Sequence, residues 1–138
     1  AVTYLFDPNA ISALVHQRQD FERLAVRVEA IDIEERVLSA ITLSELQTMI
    51  AKAREPATKA AKVGLILAYF NVVDFGEAAA LHVGQIRAHL EPRGMAIGPL
   101  DTLIAAHARS LNAVVITDNL NEFSRVPGLK VEAWRSER

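Results

Sequence analysis

The sequence predicts an α/β fold built on a short parallel sheet, and three observations predict it. Short apolar runs rich in Val, Ile and Phe recur along the chain, stretches of helical periodicity separate them, and those stretches are longer than a hairpin allows. Strands joined by helical crossovers lie parallel and carry helices on their faces. At 138 residues the chain has room for one domain, 1–138, and no internal repeat or low-complexity segment divides it.

Residues 2–6 form an apolar, β-branched and aromatic run that Asp7-Pro8-Asn9 stops, which reads as a buried strand. Pro8 suits the first turn of a helix, where its missing N–H costs nothing, and Ala10, Ile11, Leu14 and Val15 follow at helical spacing. A second apolar stripe, Phe21, Leu24, Ala25, Val28 and Ile31, predicts a second helix. Residues 37–41 are the next strand candidate. Thr42-Leu43-Ser44-Glu45 matches a capping box, in which a hydroxyl and an acid three residues on satisfy orphan N–H groups, so a third helix is expected to start there and end at Pro56. Residues 57–70 are helical, 71–75 a third strand, 76–90 a further helix, and Glu91-Pro92-Arg93-Gly94 a break. Pro99 seats the first turn of a helix running through residue 112, and 113–117 is a fourth strand. After the Pro127-Gly128 turn, residues 129–131 make the last strand, and the polar tail 135–138 is expected to fray.

Composition narrows the function classes. A chain that is 51% hydrophobic and 23% charged is too apolar for disorder. No uncharged apolar run nears the roughly 18 residues that span a bilayer, and no secretion signal opens the chain, so a soluble, cytoplasmic protein without membrane contact is expected. The absence of cysteine excludes disulfides, thiolate nucleophiles and cysteine-held zinc, which leaves oxygen and imidazole as metal ligands. Fifteen Lys and Arg against seventeen Asp and Glu give a formal charge of -2, so a polyanionic partner needs a local basic patch.

Ligands of open parallel sheets sit beyond the carboxyl ends of the strands, where the chain reverses its direction of travel around the sheet. Asp7 follows the first predicted strand directly, Glu45 lies in the first turn after the second, Asp101 in the first turn of the helix opened by Pro99, and Asp118 directly after the fourth strand. Four such carboxylates in one crevice repel one another unless protonated or neutralised by cations. With oxygen ligands alone, hard Mg²⁺ or Mn²⁺ is preferred, and two such ions about 3.5 to 4 Å apart would serve phosphodiester hydrolysis. Each acid also has a structural role open to it: Asp7 and Asp118 as N-caps, Glu45 as a capping-box partner, Asp101 as a complement to a helix dipole.

Tyr4-Leu5-Phe6-Asp7-Pro8-Asn9, Ser39-Ala40-Ile41-Thr42-Leu43-Ser44-Glu45-Leu46, Gly98-Pro99-Leu100-Asp101-Thr102-Leu103-Ile104-Ala105-Ala106-His107-Ala108 and Val115-Ile116-Thr117-Asp118-Asn119 together resemble the PIN domain, and within it the VapC toxins of bacterial toxin and antitoxin pairs. Asn121-Glu122-Phe123, Pro127-Gly128-Leu129 and Val131-Glu132-Ala133-Trp134 extend the likeness over nearly the whole chain. The resemblance implies a three-layer α/β/α domain and a Mg²⁺-dependent endoribonuclease acting on RNA such as tRNA or rRNA. It also implies a homodimer silenced by a cognate VapB antitoxin, which alone would bring it to operator DNA. Carried over by position, Asp7 and Asp101 are metal ligands, Glu45 binds metal directly or through water, and Asn9 orders the acid beside it, with Thr117 in support. The family's fourth acid falls at Asn119, one residue after the carboxylate of Asp118, so either Asp118 reaches the site or Asn119 fills the place as a neutral ligand. Pro8 stands where the family usually has a threonine or serine. That departure keeps open the alternative of a catalytically impaired PIN domain that binds RNA, or antitoxin and operator, without cutting.

Lys52, Arg54, Lys59, Arg87, Arg93 and Arg109 are candidates for a basic rim that contacts phosphates. His82, His89 and His107 are expected at the surface or in helix packing, and Trp134 as a cover for the sheet edge or a base-stacking platform. Met49, Ile50, Leu65, Leu67 and Phe70 offer apolar surface for an antitoxin helix, a dimer face or ordinary core.

Overall fold

Tyr4–Phe6 forms β1, and the side chains of Leu5 and Phe6 are fully buried on opposite sides of it, as the alternation of a strand requires. The computed structural model describes residues 1–136. After β1 come α1 (Pro8–Val15), α2 (Phe21–Glu29), β2 (Arg36–Ser39), α3 (Ala40–Lys52), α4 (Pro56–Leu67), β3 (Asn71–Val73), α5 (Glu77–Leu90), α6 (Pro99–Ser110), β4 (Val114–Ile116), α7 (Leu120–Phe123) and β5 (Lys130–Glu132). The five strands form one parallel sheet in the order β3-β2-β1-β4-β5.

Each face of the sheet has its own core. Phe6, Leu38, Val114 and Ile116 pack with apolar residues of α1, α2, α3 and α4 on one side, and Leu5, Val37 and Val115 pack with α5, α6 and Phe123 of α7 on the other. Helices on both faces make three layers. Trp134, buried beyond β5, closes the first core against Tyr4 and Phe6, with ring centroids 4.9 and 5.6 Å away, and Arg27 lies 4.7 Å over its ring. It covers the sheet edge and is not free to stack a base.

Strand order fixes where a site can form. From β1 the chain moves outward through β2 to β3, returns through α5 and α6 to β4 on the other side of β1, and then moves outward again to β5. The direction of travel therefore switches between β1 and β4, and the crevice beyond their carboxyl ends is framed by residue 7 and residues 117–119. The Asp7 N–H donates to the Ile116 carbonyl at 3.1 Å and extends the sheet one residue into that crevice.

The structure corrects several boundaries. The third helix starts at Ala40, not at Thr42, because β2 ends at Ser39, whose hydroxyl accepts the Ile41 N–H at 3.0 Å and caps the helix itself. Thr42 is instead buried in the first turn, and Glu45 is released from any capping role. The four-residue α7 is an addition to the predicted elements, the first four strands are each shorter than expected, and β5 keeps its length of three residues but starts one residue later. Arg135, expected in a frayed tail, is fixed by two partners described below, while residues 137 and 138 of that tail lie outside the described residues.

Candidate active site

Asp7 is the N-cap of α1 and is 1% exposed. Its Oδ1 accepts the Ala10 N–H at 2.8 Å and its Oδ2 accepts the Thr117 hydroxyl at 2.5 Å. The Thr117 oxygen in turn accepts the Asn119 N–H at 2.9 Å, which turns its single proton toward Asp7. Capping and site geometry thus coincide in one side chain. Burial is the largest influence on Asp7 and pushes it up from 3.8 to about 6; the Thr117 and Ala10 bonds pull it back down, and the charges of Asp101 and Asp118 raise it further.

Asp101 sits in the first turn of α6, after Gly98 and Pro99, and is half-buried. Arg125 helps to fix the loop leading into this helix by donating to the Ala96 carbonyl at 3.2 Å. The Asn119 amide donates to Asp101 Oδ2 at 3.3 Å. Burial raises Asp101 first, and then the charge and hydrogen bond of Glu122 raise it again, while the Asn119 bond lowers it. Glu122 belongs to α7, the short helix that the Asn119 turn starts. Two carboxyl groups in hydrogen-bond contact have to share a proton or a cation.

Asp118 and Asn119 part company. Asp118 turns to Arg135, at 2.7 Å, and Arg135 also donates to the Gln19 carbonyl at 3.2 Å. The other oxygen of Asp118 is buried without a partner. Asn119 is the residue whose side chain reaches the acid of α6.

The structure therefore gathers Asp7, Asp101, Thr117 and Asn119, brings the charge of Asp118 within influence of Asp7, and adds Glu122. It leaves Asn9 exposed, with Thr117 instead as the side chain that orients Asp7. Glu45 is exposed in the second turn of α3 and is not among the groups acting on Asp7 or Asp101. Among the described residues no three Asp, Glu or His side chains converge closely enough to hold an ion unaided. The donor set still suits a hard divalent cation: burial and other carboxylates raise Asp7 and Asp101, no Lys or Arg is among the groups that lower them, and Mg²⁺ takes one or two carboxylates and leaves its remaining positions to water and phosphate.

The helix that carries Asp101 is tied to the turn that opens α3. His107 of α6, 1% exposed, lies 2.7 Å through Nδ1 from the Ser39 hydroxyl, stands edge-on to Phe75 at 5.3 Å, and hydrogen-bonds the Asp74 backbone. Burial lowers its basicity, so the neutral ring accepts the Ser39 proton. His107 is a packing residue. Arg109, expected on a basic rim, is spent inside the fold: it donates to His82, to the Pro127 carbonyl and to Gln85, at 2.8, 3.0 and 2.9 Å. Arg87 pairs with Glu91 and Arg93 bonds the His89 carbonyl, whereas Lys52 and Arg54 stand exposed.

A parallel α/β domain that draws carboxylates to its switch point belongs to the class of open-sheet folds whose ligand site lies at that point. A PIN domain model matches residues 4–129. The chain is 43% identical over 97 residues to the tRNA(fMet)-specific endonuclease VapC of Salmonella typhimurium, covering 70% of this chain and 74% of that protein. It is 34% identical over 132 residues to Ribonuclease VapC1 of Haemophilus influenzae, covering 95% and 97%. The fold superposes on DNA-bound VapBC from Salmonella typhimurium with a TM-score of 0.89 at 34% identity, over 97% of this chain and 99% of that one. VapBC-1 from Haemophilus influenzae gives 0.88 at 33% identity, over 98% and 100%. The chain belongs to the PIN-domain family and, within it, to the VapC ribonucleases.

Proposed function

We propose that this chain is the toxin of a VapBC-type pair, a Mg²⁺-dependent endoribonuclease that hydrolyses phosphodiester bonds in RNA in the cytoplasm, with tRNA the first substrate class to test. The observation that carries the proposal is Asp7, buried and oriented by Thr117 and the Ala10 N–H, beside the Asp101 and Glu122 carboxyl pair. Asp7 and Asp101 would hold the cation, with Glu122 beside Asp101 and Asn119 as a neutral partner. When bound, Mg²⁺ offsets this negative charge, polarises the phosphodiester and makes the attacking water more acidic. The protein's own part is to keep Asp7 in one rotamer and to hold Asp101 at a helix start. Glu45, exposed at the rim of α3, would join through water or substrate.

The expected partner is a VapB-type antitoxin, in line with the complexes solved for relatives. A cavity of about 210 Å³ between α1, α2 and α4, lined by Leu14, Ala25, Val28, Ile66, Tyr69 and Phe70, suits an apolar segment of it. Phe70 itself belongs to the core, while Leu65 is 71% exposed.

Purified, antitoxin-free chain incubated with total RNA and Mg²⁺, beside EDTA and Asp7→Ala samples, tests the enzyme. Cleavage that needs both the ion and Asp7 supports it. Cleavage that survives EDTA and Asp7→Ala overturns the metal site, and a folded chain that binds RNA without cutting favours the impaired PIN domain.

A further inference from the structure

His16, Arg18, Lys59 and Lys62 come together at the far end of α1 from Asp7. Lys59 Nζ lies 2.8 Å from His16 Nε2; because an ammonium only donates, the ring accepts there and is neutral. Its Nδ1–H then donates to the Ser12 hydroxyl at 3.2 Å, to which Arg18 also donates at 3.3 Å. Lys62 follows Lys59 by one helical turn, and the charges of Lys59, Arg18 and Lys62 all bear on His16. Among the described residues no carboxylate pairs with Arg18, Lys59 or Lys62. Like charges collected without a counterion repel unless an anion joins them.

The backbone holds this cluster in shape. Gln17 and Asp20 have φ of 49° and 62°, a left-handed conformation that side-chain-bearing residues rarely adopt. Between them Arg18 folds back on α1, its N–H donating to the Ala13 carbonyl at 3.0 Å. The same loop supplies the Gln19 carbonyl to Arg135, which pairs with Asp118 at the crevice. One short loop therefore fixes both the basic cluster and the flank of the acid site. Eight residues of α1 separate the two, about 12 Å at 1.5 Å per residue, a reach that a few nucleotides of an RNA strand cover.

We propose that Arg18, Lys59 and Lys62, with His16 holding Lys59 in place, form an anion subsite that takes a backbone phosphate of the RNA strand a few nucleotides from the scissile bond. The inference rests on the RNA reading above and adds a place for the strand to run, along α1 away from the acids. The contact carries no base information, so it sets position and affinity, not sequence preference.

Binding without cleavage tests it. Labelled single-stranded RNA is titrated in EDTA with the Asp7→Asn chain and with the same chain carrying Lys59→Gln and Lys62→Gln, at about 50 to 200 mM NaCl. Lys130→Gln in the same background, on β5, removes a charge elsewhere as the control. Each lost phosphate contact lowers the slope of log affinity against log salt by about 0.7 on a single strand, so the paired variant, which empties the one subsite, is expected to lower it by about 0.7 and the control not at all. An unchanged slope with binding intact overturns the subsite alone. Failure of the Asp7→Asn chain to bind RNA overturns the subsite together with the RNA reading. A variant that binds RNA normally and loses only an acidic antitoxin peptide assigns the cluster to a protein partner and overturns the proposal.

Discussion

Asp7 shows how a functional side chain is kept at a cost to the fold. Its acid is lifted from 3.8 to about 6 mainly by burial, so the folded chain holds that proton more tightly than the unfolded chain. Well below pH 3.8 both states are protonated and stability is at its fullest; as pH rises from 3.8 past 6 the unfolded state releases its proton first, and roughly 3 kcal/mol is lost. The metal-free wild type should accordingly fall further behind Asp7→Asn in stability near pH 8 than near pH 5 in urea melts. Asp7→Asn keeps the Ala10 bond without the buried charge, so in EDTA at pH 7.5 its melting temperature should exceed the wild type's by several degrees while cleavage is abolished. Thr117→Val removes a bond that favours the ionised form. The acidic limb of the rate profile should move to higher pH, and cleavage should fall roughly 10-fold or more.

At the scale of elements, α3 and α6 meet in the Ser39 to His107 bond. Ser39→Ala takes away the cap of α3 and leaves His107 Nδ1 buried without a donor, and the two effects together should destabilise the protein by about 2 kcal/mol in denaturant melts. Pro8 sits one residue after Asp7 in α1, and the bond Asp7 needs comes from Ala10, so Pro8→Thr should leave the cleavage rate unchanged. Element alternation was legible because the central strands β1, β2 and β4 carry apolar residues on both faces and the helices between them carry apolar stripes. The start of α3 was not, since Ser39 and Thr42 both offer a hydroxyl and only the end of β2 decides between them. Glu122 lies in a stretch that resembles the family, yet nothing in the sequence marks it as a site residue: α7 is too short for a periodic pattern, and its approach to Asp101 depends on how the Asn119 turn aims it. Arg109 shows the opposite failure, a cation whose charge advertised a surface that the fold consumes.

The whole molecule couples cation binding to stability, because an ion that binds only the folded chain stabilises it by mass action. Mg²⁺ at a hundred times its dissociation constant should contribute about 2.7 kcal/mol, visible as a rise in melting temperature that Asp7→Asn and Asp101→Asn lack. Strand order was beyond reach of periodicity and spacing, and only the family resemblance paired Asp7 with Asp101. Asp7 and Asp101 lie near each other only because α5 and α6 bring the chain back to the far side of β1.

One bond in that arrangement bears on how such a chain is made. Thr117 reaches Asp7 across 110 positions of sequence, and Trp134 closes the core under β1 later still. Synthesis runs from the amino end, so a growing polypeptide that has not yet released these residues from the ribosome carries Asp7 without the hydroxyl that aims it. The pocket around Asp7 comes into being only after residues 117 and 134 have left the ribosome.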